Sequence, residues 1–74
     1  KWARLAQQVV GEIALSQTSG IEVDHVVAEM VRRSDPPEDG KRDRRKDLAR
    51  QALKSISEYD DAPWWIEDGC LEVL

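Results

Sequence analysis

The stretch Lys41–Leu74, KRDRRKDLARQALKSISEYDDAPWWIEDGCLEVL, decides the fold, because within it a basic helical pattern gives way to the alternation of a tight hairpin. Leu48, Ala49, Ala52, Leu53 and Ile56 recur at steps of three and four, the spacing of one buried helix face. This predicts a helix from Lys41 to about Glu58. After Tyr59-Asp60-Asp61-Ala62-Pro63 the period changes to two. Asp68-Gly69 is a strong hairpin signal, since a two-residue type I′ turn needs positive φ at both central positions. With those two in the turn, Glu67 faces Cys70, Ile66 faces Leu71, Trp65 faces Glu72 and Trp64 faces Val73. Trp64, Ile66, Leu71 and Val73 then share the side that closes a core, and Trp65 falls on the other side.

Upstream, Trp2, Leu5, Ala6, Val9 and Ile13 form an apolar stripe opposite Arg4, Gln7, Gln8 and Glu12, which predicts an amphipathic helix of about four turns. Gln17-Thr18-Ser19-Gly20 ends it with turn-forming residues, and Ile21-Glu22-Val23 alternates like a very short strand. Asp24 is the expected N-cap of a second helix, whose buried face is Val26, Val27, Met30 and Val31 and whose last turn carries Arg32 and Arg33. Ser34-Asp35-Pro36-Pro37-Glu38-Asp39-Gly40 must break the chain, because paired prolines remove backbone donors. That loop is longer than a tight helix-turn-helix turn. The expected fold is therefore mostly α with a small β-hairpin: three helices and a C-terminal two-stranded wing, one domain spanning residues 1–74. With Lys1-Trp2 at its start, the chain is expected to be a fragment of a longer protein.

Charge is unevenly spread. The chain carries a formal net charge of -4, yet Lys41–Lys54 holds seven basic residues against two acidic ones. Such polarity lets one face approach phosphate while the remainder repels it. On the helix, the face opposite the apolar stripe carries Asp43, Asp47, Arg50, Gln51, Lys54 and Glu58, flanked by Arg44 and Lys46. Arg42 and Arg45 project near the apolar meridian, which implies that the helix start protrudes beyond the core or begins later. Cations at a helix N-terminus oppose its dipole, so an external anion explains them better than helix stability does. The competing explanation is salt bridging within the segment, from Asp43 to Lys46 and from Asp47 to Arg50.

Several function classes are excluded or disfavoured. No apolar run approaches the roughly 18 residues of a membrane helix. One cysteine, Cys70, and one histidine, His25, offer no ligand set for zinc, and no metal or other cofactor is expected. The lone cysteine also fits a cytoplasmic protein better than a small secreted one. Acids pair at Asp35/Glu38/Asp39, Asp60/Asp61 and Glu67/Asp68, but in loops and turns where solvated carboxylates are ordinary, and His25 has no nucleophile beside it. No catalytic residues and no enzyme activity are expected.

Helix, short strand, helix, helix and hairpin in that order resemble a winged helix-turn-helix domain. RRKDLARQALKSI followed by WWIEDGCLEVL is similar to the C-terminal region of RepA-like plasmid and phage replication helicases, where a helix of the form R...ARxAL precedes a wing of the form DGxLEV. The resemblance implies a DNA-binding part of a replication or regulatory protein. Any nucleotide hydrolysis would belong to another part, since no G-x-x-x-x-G-K-[ST] occurs. On this reading Arg44, Lys46, Arg50 and Lys54 contact phosphates, Gln51 presents its amide to a base edge, and the narrow basic surface gives modest DNA affinity. The alternative is a protein-interaction module or homo-oligomer that docks through Trp65, an aromatic expected on the outer face of the wing. Trp65 covering the core edge or packing on Tyr59 is the purely structural alternative.

Overall fold

The computed structural model describes residues 1–37, 39–59 and 61–74. Glu38 and Asp60, expected as loop acids, lie outside the described residues. Three helices and a small antiparallel sheet follow one another as α1 (Trp2–Ile13), β1 (Ile21–Glu22), α2 (Val23–Arg33), α3 (Arg45–Ser57), β2 (Trp64–Glu67) and β3 (Cys70–Val73). The helices pack on one another, and the sheet closes the open side of the core they form.

The hairpin has the register expected from its turn, with Trp64 opposite Val73 through to Glu67 opposite Cys70. Asp68 and Gly69 take φ of 52° and 76°, the left-handed pair that a type I′ turn requires. The expected two-stranded wing is, however, two thirds of a sheet. β1 pairs antiparallel with β3, setting Ile21 against Leu71 and Glu22 against Cys70, so the strand order is β1-β3-β2. Thr18 extends this edge by accepting the Val73 N–H at 2.8 Å.

Burial follows the periodicities closely. Val26, Val27 and Met30 of α2, Ala49, Leu53 and Ile56 of α3, and Trp64 and Leu71 of the hairpin are buried together, whereas Val31, Ala52, Ile66 and Val73, expected on the same faces, are only partly buried at the edge of the core, and Leu48 is partly exposed. On α1 the fully buried residues are Ala6, Val9 and Val10, whereas Trp2, Leu5 and Ile13 border the core. Val10 joins the core because α1 packs against both other helices, which widens its apolar face. α1 also ends at Ile13 and is shorter than the expected four turns, its end closed by the Ser16 and Gln17 N–H groups on the Ile13 carbonyl.

Two helix starts differ from expectation for identifiable reasons. α2 begins at Val23, one residue before the proposed cap, and no side chain caps it. Instead the Val23 N–H donates to the Gly69 carbonyl in the hairpin turn at 3.2 Å, so the sheet secures this end. Asp24 lies in the first turn, where its charge suits the dipole. α3 begins at Arg45, four residues later than Lys41, because the Asp43 carboxylate accepts the Arg45 N–H at 3.0 Å and supplies the start of the helix.

Candidate functional site

The solvent face of α3 carries Lys46, Arg50 and Lys54 at four-residue intervals, about 6 Å apart along the axis. All three are exposed, as is Gln51 beside them. Opposite them on the same helix, Ala49, Leu53 and Ile56 are buried, so the row is held rigidly by the core itself. Arg44 is exposed too, but it occupies the N-cap position with φ -108° and ψ 12°. It stands at the end of the row and does not lie on the helix, a correction that follows directly from the later start.

That later start also resolves the awkward placement of Arg42 and Arg45. Arg42 precedes the helix. Arg45 folds back toward α2: Nε and Nη2 donate to the two Asp43 carboxylate oxygens at 3.0 and 3.1 Å, and Nη1 lies 3.4–3.5 Å from the Val31 and Asp35 carbonyls and the Ser34 hydroxyl. The guanidinium thereby satisfies acceptors at the C-terminal end of α2, where positive charge is favourable. The Arg45 side chain, followed by the Arg45 backbone N–H, holds the Asp43 carboxyl below its ordinary range. For Arg45, then, the anion is internal, contrary to the expectation of an external one. The expected i,i+3 salt bridges are replaced as well, Asp43 taking Arg45 and Arg50 taking Asp24 at 3.1 Å.

Arg50 stands between two grooves. One, of about 460 Å³, runs along the start of α3 past Arg42, Lys46 and Asp47. The other, of about 520 Å³, lies between α3 and the hairpin, bounded by Arg50, Lys54, Ser57 and Glu58 on the helix and by Val23, Trp65 and Ile66 opposite. This second groove unites Arg50 and Lys54 with Trp65, residues singled out from the sequence for separate reasons. β2 is an edge strand, and Trp65 on it lines the groove while the residue remains 40% exposed. Val23 and Ser57 were missing from the expected site, and their place depends on three-dimensional proximity that no local pattern encodes; Glu58 was expected on the exposed α3 face but not as part of the site.

The sheet's outer face has the opposite charge. By strand alternation Glu22, Glu67 and Glu72 share it with Cys70 and Trp65, and Asp68 sits at the tip. Glu72 is anchored, accepting from the Ser19 hydroxyl and from the Gly20 N–H at 2.9 Å, contacts that hold its carboxyl below the usual range. A third hollow, about 240 Å³ beside Lys1, Trp2 and Leu5, contains none of the expected site residues. Among the described residues no group of three or more His, Cys, Asp or Glu side chains is arranged to hold a metal ion. No helix among the described residues is long and apolar enough to cross a membrane.

Comparison of the chain with protein families, curated proteins and solved structures found no match.

Proposed function

We propose that this chain is a winged-helix nucleic-acid-binding module, acting within a cytoplasmic DNA replication or regulatory protein. The order α1-β1-α2-α3-β2-β3, with β1 beside the hairpin, supports the winged-helix reading. The observation that carries the functional reading is the exposed cation row on α3. Lys46, Arg50 and Lys54 contact phosphates, Arg44 extends the row at its start, and Gln51 presents its amide where a base edge would lie. The ammonium groups of Lys46 and Lys54 make no hydrogen bond or close ion pair among the described residues, although Lys46 stands near enough to Asp43 to help lower its carboxyl.

A salt titration of DNA binding tests this. Replacing Arg50 and Lys54 by alanine weakens binding and reduces the slope of log affinity against log salt by about one for each phosphate no longer neutralised. Absence of binding by the wild-type chain at low salt would refute the proposal.

The apolar wall of the α3–hairpin groove favours a second reading, in which the same surface docks a protein or a second copy of the chain. Under that reading Trp65→Ala abolishes a complex seen by light scattering, and Arg50 and Lys54 set only its salt sensitivity.

A further inference from the structure

Two properties of the groove between α3 and β2 narrow what can fill it. Its walls differ in kind: Val23, Trp65 and Ile66 offer apolar surface, and the helix rim carries the cations Arg50 and Lys54, then Ser57 and the single acid Glu58 at its end. A ligand complementary to both presents a flat apolar group next to a regularly spaced anion, which is the chemistry of a nucleotide in an unpaired strand. The groove's volume of about 520 Å³ is within the range of small-ligand sites, ample for a base.

The charge beyond the groove discriminates further. Glu22, Glu67, Asp68 and Glu72 lie across the outer face and tip of the sheet, adjacent to the groove's Trp65 wall. A duplex laid along α3 carries a second backbone, and moving toward the hairpin brings those phosphates against these carboxylates. A single strand has one backbone, which can follow Arg50 and Lys54 and keep clear of the acids of the sheet, meeting only Glu58 at the far end of the helix rim. Stacking also requires a face of Trp65 that the core does not cover, and this residue is 40% exposed while its neighbour Trp64 is 2% exposed.

We propose that this groove holds one unstacked base against Trp65, with the adjoining phosphates at Arg50 and Lys54, so that the chain prefers single-stranded nucleic acid to duplex. This rests on the nucleic-acid reading above and specifies the form of the ligand. Arg50 exchanges its ion pair with Asp24 for a phosphate; both side chains of that pair are largely exposed, at 49% and 84%, so the exchange needs no rearrangement of the core.

The test compares a fluorescein-labelled oligo(dT) of about ten nucleotides with a duplex of equal length, by anisotropy at low salt, while following tryptophan emission. The single strand binds about tenfold more tightly than the duplex or better and quenches tryptophan emission on binding. Trp65→Ala lowers its affinity by about 5- to 100-fold, Trp65→Phe retains most of it, and duplex binding is unchanged by either. Retention by Trp65→Phe separates stacking from a general loss of folding. Equal affinity for both forms, with Trp65→Ala silent, overturns the stacking proposal and leaves the phosphate contacts standing. Failure of both oligonucleotides to bind overturns the two together. Saturable quenching by an acidic amphipathic peptide, with none by oligo(dT), overturns the proposal in favour of a protein partner.

Discussion

Basic side chains are used in two different ways at the α1–α2 seam and on the exposed face of α3. At the α1–α2 seam, Arg33 donates through both terminal nitrogens to the Glu12 carboxylate at 2.8 Å and through Nε to Glu29 at 2.9 Å, and Arg32 adds a further pair to Glu29. The charges there neutralise one another within the chain. On α3, Lys46 and Lys54 point outward without such partners among the described residues, and the pair made by Arg50 is exposed. The difference separates cations that join elements from cations that remain available to a ligand. A count of basic residues along the sequence cannot make that distinction, since Arg45 lies inside the basic run yet serves the end of α2.

The comparison can be broken most forcefully through the residue that supports the α3 row from behind. Leu53 is fully buried next to Lys54 in sequence, and Leu53→Ala leaves a cavity costing about 2–5 kcal/mol, a large share of the stability of a domain this size. A urea denaturation curve should show the midpoint fall by a corresponding amount, and an unchanged midpoint would mean that α3 is not anchored by this side chain. The hairpin gives a smaller effect. Gly69 has φ of 76° and nothing within 4 Å of an added Cβ, so Gly69→Ala costs only the backbone strain, about 1–2 kcal/mol. The same denaturation experiment checks it, and a neutral result would show that the turn relaxes to another type.

These two sites also show what could be read from the chain beforehand. The hairpin register was legible because the turn residues act locally and period-two patterning forbids a slip of one residue without exposing Trp64 and Leu71. The faces of the three helices were legible for the same reason. The α3 start was not, because helical periodicity does not register the Asp43 contact, local though it is, and the carbonyls that draw Arg45 toward α2 lie 10–14 residues away. Pairing of β1 with β3 is not encoded locally, because two residues carry too little pattern to specify a partner. Of the site, Lys46, Arg50, Gln51 and Lys54 were placed on the exposed face by periodicity alone. Their meeting with Trp65 across one groove depends on how the hairpin folds over α3, and the Asp24–Arg50 pair spans 26 residues.

The seam supplies the smallest and most specific perturbation. Hydrogen bonds from Arg32 and then Arg33 lower the Glu29 carboxyl from 4.5 to about 2, and Arg33 lowers Glu12 in the same direction. A carboxylate whose folded-state value lies below its unfolded value stabilises the protein fully above the unfolded value, and that contribution disappears as pH falls through the folded one. For Glu29 the loss therefore runs from about pH 4.5 down to about pH 2. Glu29→Gln removes the titrating group, so the variant is less stable than wild type at neutral pH and its denaturation midpoint falls less steeply through that window. Parallel pH profiles for the two proteins would show that the seam charges contribute nothing to folding. Oligonucleotide affinity and Trp65 emission should not change, because Glu29 borders neither groove beside Arg50. A variant that altered binding as much as stability would mean that the joining cations and the ligand-facing cations form one coupled set, and the division between the two regions would no longer hold.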